Sequence, residues 1–309
     1  MPIQPTAKIW MDGQLIDWDK AHIHVLTHSL HYGTAVFEGI RAYPTDDGPA
    51  IFRLSEHVER LLNSAKLLSI DCDYNQKELE DAIVLTVVES GLEGGYIRPL
   101  IYLGYGEMGL NPLPCKTNVA IAMWPWGAYL GDDVMQTGIS LMVSSWARHD
   151  PRSLPTAAKA TGMYINSSLA KVEALRAGYD EALLLNIDGY VSEGTGENIF
   201  LVKDNVLITP PVSAVGALNG ITADAIITLA KELGYEVRNE LIRRSDVYLA
   251  DEAFLTGTAA EVVPIRELDN RKIGSVVPGQ VTKRLREAFD ACCRGRYETH
   301  RDWITLAKR

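Results

Sequence analysis

Cysteine is scarce: the 309 residues hold four, at Cys72, Cys115, Cys292 and Cys293. No CxxC pair occurs, and neighbours such as Cys292 and Cys293 seldom bridge each other, so a disulfide scaffold is excluded. Positive charge is also short. Thirty Lys and Arg face 40 Asp and Glu, a net charge of −10, which is not the electrostatic footprint of a nucleic-acid binder. A few buried cations can still govern a site for anionic substrates. Long apolar runs are missing, since a stretch such as Val119 to Trp126 falls far short of the roughly 20 residues a membrane span needs. The opening Met1-Pro-Ile-Gln-Pro lacks the basic flank and apolar stretch of a secretory signal, so a cytoplasmic protein with free thiols is expected. Internal repeats, low-complexity tracts and the Walker, HExxH and GxSxG motifs are absent as well.

What remains is ordinary globular composition, 47% hydrophobic and 23% charged. The length suggests two domains, large enough to bury a core without staples. Strands are expected at Ala7–Asp12 and Gln14–Trp18 around an Asp12-Gly13 turn, then at Ala35–Tyr43 and Ala50–Arg53. Helical spacing of Val58, Leu61, Leu62, Ala65 and Leu68 predicts a helix capped by Ser55, and a second runs from Asn75 to Ser90, stopped by Gly91. Tyr96–Leu103 and Thr117–Trp124 read as strands. Residues 1–124 form a small N-terminal domain in this reading. Pro125, Gly127 and Gly131 mark a linker over 125–137, unusually rich in aromatics and so suited to line something.

A large C-terminal domain is expected over 138–309. Ile139–Trp146 reads as a strand and Met163–Ala177 as a helix. Asp188-Gly189 and Asp204-Asn205 predict hairpins, and a helix follows over Thr222–Leu233 with Thr222 at its cap. Strands at Ala253–Thr256 and Val262–Leu268 and a helix over Gly279–Cys293 complete the chain. Hairpins outnumber βαβ units, so the class is α+β.

The run His22, His24, His28 and His31 has no matching carboxylate or thiolate nearby, so these are read as loop or interface histidines, with no metal. Gly104-x-Gly106-x-x-Gly109 spells a dinucleotide fingerprint, but Asn111-Pro112-Leu113-Pro114 forbids the helix that should follow. Lys159 is more informative. It lies among small apolar residues, where desolvation would favour a neutral, nucleophilic amine, although a solvated loop lysine has the same spelling. Glu193 sits on the glycine-rich bend Glu193-Gly-Thr-Gly-Glu-Asn198. Gly220-Ile-Thr222 and Thr256-Gly-Thr-Ala-Ala260 each offer backbone N–H groups to an anion. An amine, a carboxylate and two anion-binding turns are the parts pyridoxal phosphate (PLP) needs.

Over nearly its whole length the sequence closely resembles the branched-chain amino acid aminotransferases, which are fold-type IV pyridoxal-phosphate enzymes. The blocks that carry this are His31-Tyr-Gly-Thr-Ala-Val-Phe-Glu-Gly-Ile-Arg-Ala-Tyr43, Tyr96-Ile-Arg-Pro99, Met108-Gly-Leu-Asn-Pro112 and Pro125-Trp-Gly-Ala-Tyr129. Thr156-Ala-Ala-Lys-Ala160, Ser192-Glu-Gly-Thr-Gly-Glu-Asn198 and Thr256-Gly-Thr-Ala-Ala-Glu261 add to them.

The resemblance implies a two-domain fold like that of the D-amino acid aminotransferases. It also implies reversible, ping-pong transfer of the amino group of L-leucine, L-isoleucine or L-valine to 2-oxoglutarate through an aldimine on Lys159. Glu193 would hold the cofactor's ring nitrogen protonated and Tyr164 would donate to its phenolate. Arg60, Gly196, Leu218, Gly220, Ile221, Thr222, Gly257 and Thr258 would complete the cofactor site. Tyr96, Thr258 and Ala259 would receive the substrate carboxylate, and Arg98 the side-chain carboxylate of glutamate. Phe37, Gly39, Trp126 and Tyr129, with Tyr32, Met108 and Leu110 from a neighbouring subunit, would enclose the aliphatic side chain. A homodimer or a trimer of dimers follows from that sharing. The alternatives within the same fold are transaminases of D-amino acids or R-amines.

Two features sit apart. Helical periodicity alone places Arg60 opposite the apolar stripe, in solvent. Asn219 and Ala223 stand where many relatives carry Pro and Arg, which removes a rigid turn residue and a cation near the phosphate turn.

Overall fold

The structure, a computed structural model, describes residues 3–127 and 134–308. Residues pack into two compact units. The first comprises Met1–Gly127, Ala158–Met163 and Ala291–Arg309, and the second Ala128–Ala157 and Tyr164–Asp290. This division differs from a single cut near residues 125–137, because the segment bearing Lys159 and the C-terminus both pack with the N-terminal residues. The middle of the expected linker, with Tyr129, lies outside the described residues.

The first unit is built on a sheet of eight strands. These are β1 (Lys8–Met11), β2 (Gln14–Asp17), β3 (Ala35–Phe37), β4 (Ile40–Thr45), β5 (Gly48–Phe52), β6 (Gly95–Leu103), β7 (Thr117–Trp124) and a last strand, Ile304–Leu306. The last strand pairs antiparallel with β5, and the order continues through β4, β6, β7, β1 and β2, with β3 also on β6. Its helices are α1 (His28–Tyr32), α2 (Leu54–Leu67) and α3 (Gln76–Ser90). Alternation along β6 and β7 buries Ile97, Ile101, Val119 and Ile121, which share one core with Val58 and Leu61 of α2 and Leu79 and Ile83 of α3. A capping box opens α3: Asn75 accepts the Glu78 N–H, and the Glu78 carboxylate accepts the Asn75 N–H.

The second unit holds β8 (Ile139–Val143), β9 (Glu181–Leu185), β10 (Val191–Glu193), β11 (Asn198–Lys203), β12 (Val206–Thr209), β13 (Glu236–Asn239), β14 (Glu252–Gly257), β15 (Glu261–Leu268) and β16 (Arg271–Lys272). The strand order is β10-β9-β8-β15-β14-β11-β12-β13, with β16 on β15. Only β8 with β9, β8 with β15 and β12 with β13 run parallel among these pairs. The mixture is the α+β arrangement that hairpin dominance predicts. Helices α4 (Val134–Thr137), α5 (Tyr164–Arg176), α6 (Val212–Val215), α7 (Ile221–Glu232), α8 (Arg244–Tyr248) and α9 (Gln280–Cys293) complete the chain. No described helix is long and apolar enough to cross a membrane.

The three tight turns form where the sequence puts them. Asp12 and Gly13, and Asp204 and Asn205, all take positive φ, the conformation a two-residue hairpin of right-handed twist requires; at Asp188-Gly189 only Gly189 does, in a wider turn where its N–H donates to the Asn186 carbonyl. Four expectations change. The strand expected over Ala35–Tyr43 breaks at Glu38-Gly39, because Glu38 turns its carboxyl into the interior and a Cβ on Gly39 would lie 1.9 Å from the Tyr96 hydroxyl. Helix α2 begins at Leu54 after Arg53 in the left-handed region (φ 51°), so Ser55 does not cap it; its hydroxyl accepts from Gln76 instead. Gly220, not Thr222, is the N-cap of α7, since a side chain at 220 would strike Asn198. The strand from Ile139 stops at Val143, after which the Ser144 hydroxyl accepts the Trp146 N–H.

Phe200 and Phe254 face each other across β11 and β14, stacked at 5.1 Å and fully buried. Phe200→Ala should therefore lower unfolding stability by about 3–5 kcal/mol, read as a fall in the denaturant midpoint at unchanged slope.

Candidate active site

Lys159 belongs to the first unit and is held there by its backbone. Its N–H donates to the Ser64 hydroxyl of α2 (3.0 Å), its carbonyl accepts the Phe37 N–H of β3 (3.0 Å), and Ala160 bridges to Val36. Ala158 and Ala160 on either side are buried, so the amine is half-buried and rooted in the core. Its Nζ lies 5.2 Å from the centre of the Phe37 ring.

The same ring carries a second cation. The Arg98 guanidinium is 4.7 Å from the centre of Phe37, 5.3 Å from that of Tyr96 and 5.9 Å from that of Trp124. Its Nη2 donates to the Tyr96 hydroxyl at 3.3 Å. Tyr96 in turn packs on Trp126, ring centres 4.7 Å apart, and Gly39 leaves room for its hydroxyl. Thus Phe37, Gly39, Tyr96, Arg98, Trp126 and Lys159 come together on strands β3 and β6 and the segments beside them. Tyr32, Met108 and Leu110 stand apart on the surface of this unit, Leu110 88% exposed. His28 ties their two segments together, bonding the Thr34 hydroxyl and the Gly109 carbonyl. His31 bonds the Val25 carbonyl, and His24 accepts the Leu26 N–H.

Arg60 corrects the periodicity reading. Its side chain is largely buried, with Nε 2.6 Å from Glu38 Oε1 and Nη2 2.8 Å from Oε2. A fully buried carboxylate on the neighbouring strand break draws it inward, which no count of apolar residues on α2 can reveal.

In the second unit Glu193 ends β10, buried, with Oε1 2.7 Å from Arg148 Nε. Its Oε2 accepts the Leu218 N–H at 3.0 Å. The Leu218 carbonyl accepts from Asn198 (2.9 Å), whose Oδ1 lies against Gly220. These bonds hang the Leu218–Gly220 turn, and hence the N–H groups of Ile221 and Thr222 at the start of α7, on β10 and β11. Tyr164 is the first residue of α5. Thr258 and Ala259 lie in the turn between β14 and β15, where Gly257 packs on the Gly196 carbonyl. Thr256 beneath that turn keeps a buried hydroxyl without a hydrogen-bond partner. Asn219 and Ala223 border a hollow of about 320 Å³ together with Asn198 and Asp224. Tyr129 lies outside the described residues.

The donor set fits pyridoxal phosphate. Each unit by itself carries part of that set: the first an amine and a guanidinium held by Glu38, the second a carboxylate paired to a buried guanidinium, the N–H groups at the start of α7 and a buried hydroxyl in need of a partner. Sequence reasoning missed Glu38, Ser64, Arg148 and Glu197. Glu38 had a signal, a lone charge inside an apolar run; Arg148 and Ser64 had none.

Glu197 is buried beside Glu193 in sequence and accepts the Gly196 N–H at 3.0 Å. Nearby, Lys171 pairs with Glu181 at 2.7 Å, and Thr195 donates to Glu181. Burial and the Glu181 charge push the Glu197 carboxyl up from the ordinary 4.5 to about 8, against the pull of the Gly196 N–H and Lys171. The folded protein therefore holds this proton where the unfolded chain has released it. Stability from Glu197 is full below 4.5 and is lost as pH rises from there through about 8. Glu197→Gln should remove that loss: its melting temperature should gain on the parent's as pH rises across this window, and a constant difference would contradict a neutral Glu197.

Residues 35–268 match the family model for amino-transferase class IV. The chain is 50% identical over 300 residues to a branched-chain-amino-acid aminotransferase of Pseudomonas aeruginosa, covering 97% of each. Its fold superimposes on the crystal structure of the Escherichia coli branched-chain amino acid aminotransferase with a TM-score of 0.96 at 47% identity, covering 98% of this chain and 100% of that one. A T.th. branched-chain amino acid aminotransferase complexed with N-(5'-phosphopyridoxyl)-L-glutamate gives a TM-score of 0.95 at 46% identity, covering 99% and 100%.

Proposed function

Because the chain belongs to the class IV aminotransferases, which are pyridoxal-phosphate enzymes, we propose that it exchanges the amino group of L-leucine, L-isoleucine or L-valine with 2-oxoglutarate. The observation that carries this reading is the pairing of Lys159 and Arg98 on one aromatic surface, with Phe37, Tyr96 and Trp124 around the guanidinium. Such a surface suits both partners of the exchange. Aromatic walls take an aliphatic side chain, while Arg98 takes the second carboxylate of glutamate. The names of the relatives above, and the glutamate adduct bound to one of them, point the same way.

When bound, pyridoxal phosphate supplies the carbonyl that takes up the amino group and a ring that withdraws electrons from the substrate Cα. The Lys159 amine moves the proton at that Cα, its backbone fixed by Ser64 and Phe37 so that the side chain swings from a rigid root. Glu193, paired to Arg148, keeps a proton at the ring nitrogen. Tyr164 donates to the ring oxygen. Arg60, the N–H groups of Ile221 and Thr222, and Thr258 hold the phosphate, with Gly196, Leu218, Gly220 and Gly257 giving the backbone its close approach. Tyr96, Thr258 and Ala259 receive the substrate carboxylate, and Phe37, Gly39, Trp126 and Tyr129 exclude water around the side chain.

Tyr32, Met108 and Leu110 are assigned to the pocket of a second copy, in a homodimer or a trimer of dimers; their exposure supports a covering partner. A cytoplasmic setting completes the reading.

Absorbance of the cofactor-loaded protein tests it. L-Leucine alone should bleach the yellow band and 2-oxoglutarate should restore it, with little response to D-alanine or an R-arylamine. A response to those instead would keep the family and discard the substrate. Lys159→Ala should bind cofactor yet lose turnover by several orders of magnitude, and undiminished turnover would remove Lys159 from the chemistry.

A further inference from the structure

Glu38 has no part in the mechanism above, yet it is the most fully enclosed carboxylate of the first unit's site, with no exposed surface. It sits at the break between β3 and β4, between Phe37 and Gly39. Burying a carboxylate costs several kcal/mol unless partners replace water. Here they do: Arg60 takes both oxygens, Nε at 2.6 Å and Nη2 at 2.8 Å, and His57 Nδ1 lies 2.8 Å from Oε2. Burial raises the Glu38 carboxyl, but Arg60 and His57 outweigh it and leave the group well below the usual carboxylate range. Burial pushes His57 below the ordinary imidazole range, more than Glu38 lifts it. A neutral imidazole therefore donates its Nδ1–H, while Glu38 and Arg60 cancel each other's charge.

Two parallel N–H···O bonds fix the plane of a guanidinium, and so the direction of its other N–H groups. Residues 57, 60 and 64 share one face of α2. The first two bond Glu38 and the third receives the Lys159 N–H, while Phe37, next to Glu38, donates to the Lys159 carbonyl. The same face thus sets Arg60 and roots Lys159.

We propose that Glu38 is a positioning residue that aims the Arg60 guanidinium at the phosphate of the cofactor. The proposal rests on the reading that Arg60 holds that phosphate. A Glu38 that serves only to satisfy a buried arginine would affect phosphorylated and unphosphorylated ligands alike.

The experiment titrates the full-length apoprotein with pyridoxal phosphate and, separately, with unphosphorylated pyridoxal, reading both affinities by absorbance. Arg60→Met and Glu38→Gln should each weaken pyridoxal phosphate about tenfold or more, the loss of one charge-assisted hydrogen bond, with pyridoxal little changed. The double variant should be no weaker than Arg60→Met alone, because both changes remove one interaction. An Arg60→Met protein that keeps the parent's ratio of the two affinities would remove the premise and the proposal with it. Loss of the phosphate preference in Arg60→Met but not in Glu38→Gln would overturn the proposal alone, as would an equal weakening of both ligands by Glu38→Gln. If Glu38→Gln fails to fold, Glu38→Asp decides. It keeps the charge but withdraws the fork by one methylene, so it should still lose the phosphate preference, and an unchanged ratio would overturn the assignment.

Discussion

Two backbone hydrogen bonds govern the chemistry-bearing side of this molecule, Lys159 N–H to the Ser64 hydroxyl and Phe37 N–H to the Lys159 carbonyl. They stitch a six-residue return of the chain, Ala158–Met163, to β3 and α2 of a unit built mainly from the N-terminal residues. A lysine on an ordinary loop would spend its orientation in solvent. Anchored between buried alanines, this one has a fixed Cα, so only its side chain is free to move. Met163 and the two alanines belong to the core with Val36 and Ile97, which makes the position of the amine a consequence of core packing.

Charge inside the structure is handled in pairs. Glu38 meets Arg60, Glu193 meets Arg148 and Glu181 meets Lys171, each between 2.6 and 2.7 Å and each largely or wholly out of water. Such pairs add little net stability, because desolvation offsets most of the attraction, but losing one partner is costly. Their use here is geometric. Each pins a segment that matters: α2 with its row of His57, Arg60 and Ser64, the turn before α7, and the bend after β10. Among the described residues Glu197 has no ion-pair partner, and it is left to hold a proton, pushed up to about 8.

Much of this was readable in advance, for reasons that differ by residue. Thr117–Trp124 forms a strand over the expected span because its alternation and β-branched content act locally. Asp12-Gly13 and Asp204-Asn205 form turns because the backbone conformation needed is one those residues accept. Gly39 and Gly220 were legible as members of motifs, but not for their physical reason. Each leaves space for a particular atom from a distant strand, the Tyr96 hydroxyl and Asn198 Oδ1. Where local preference met such a neighbour it lost: Ser55 and Thr222 are good caps by type, yet Arg53 and Gly220 hold those positions.

The sequence by itself determined the class of fold, the hairpins, most of the element spans and, through its motif blocks, the family and the residues that gather around Phe37. These follow from short-range periodicity and from residue types whose chemistry is intrinsic. Tertiary structure alone decided that Arg60 is buried, that Arg148 stands behind Glu193, that Ser64 receives the Lys159 N–H, and that Glu38 holds the centre of a buried cluster. Those facts depend on groups separated by 19 to 95 positions in the chain. A charge is free in water and confined once its solvent is removed, so its partner is set by the fold and not by its neighbours in sequence.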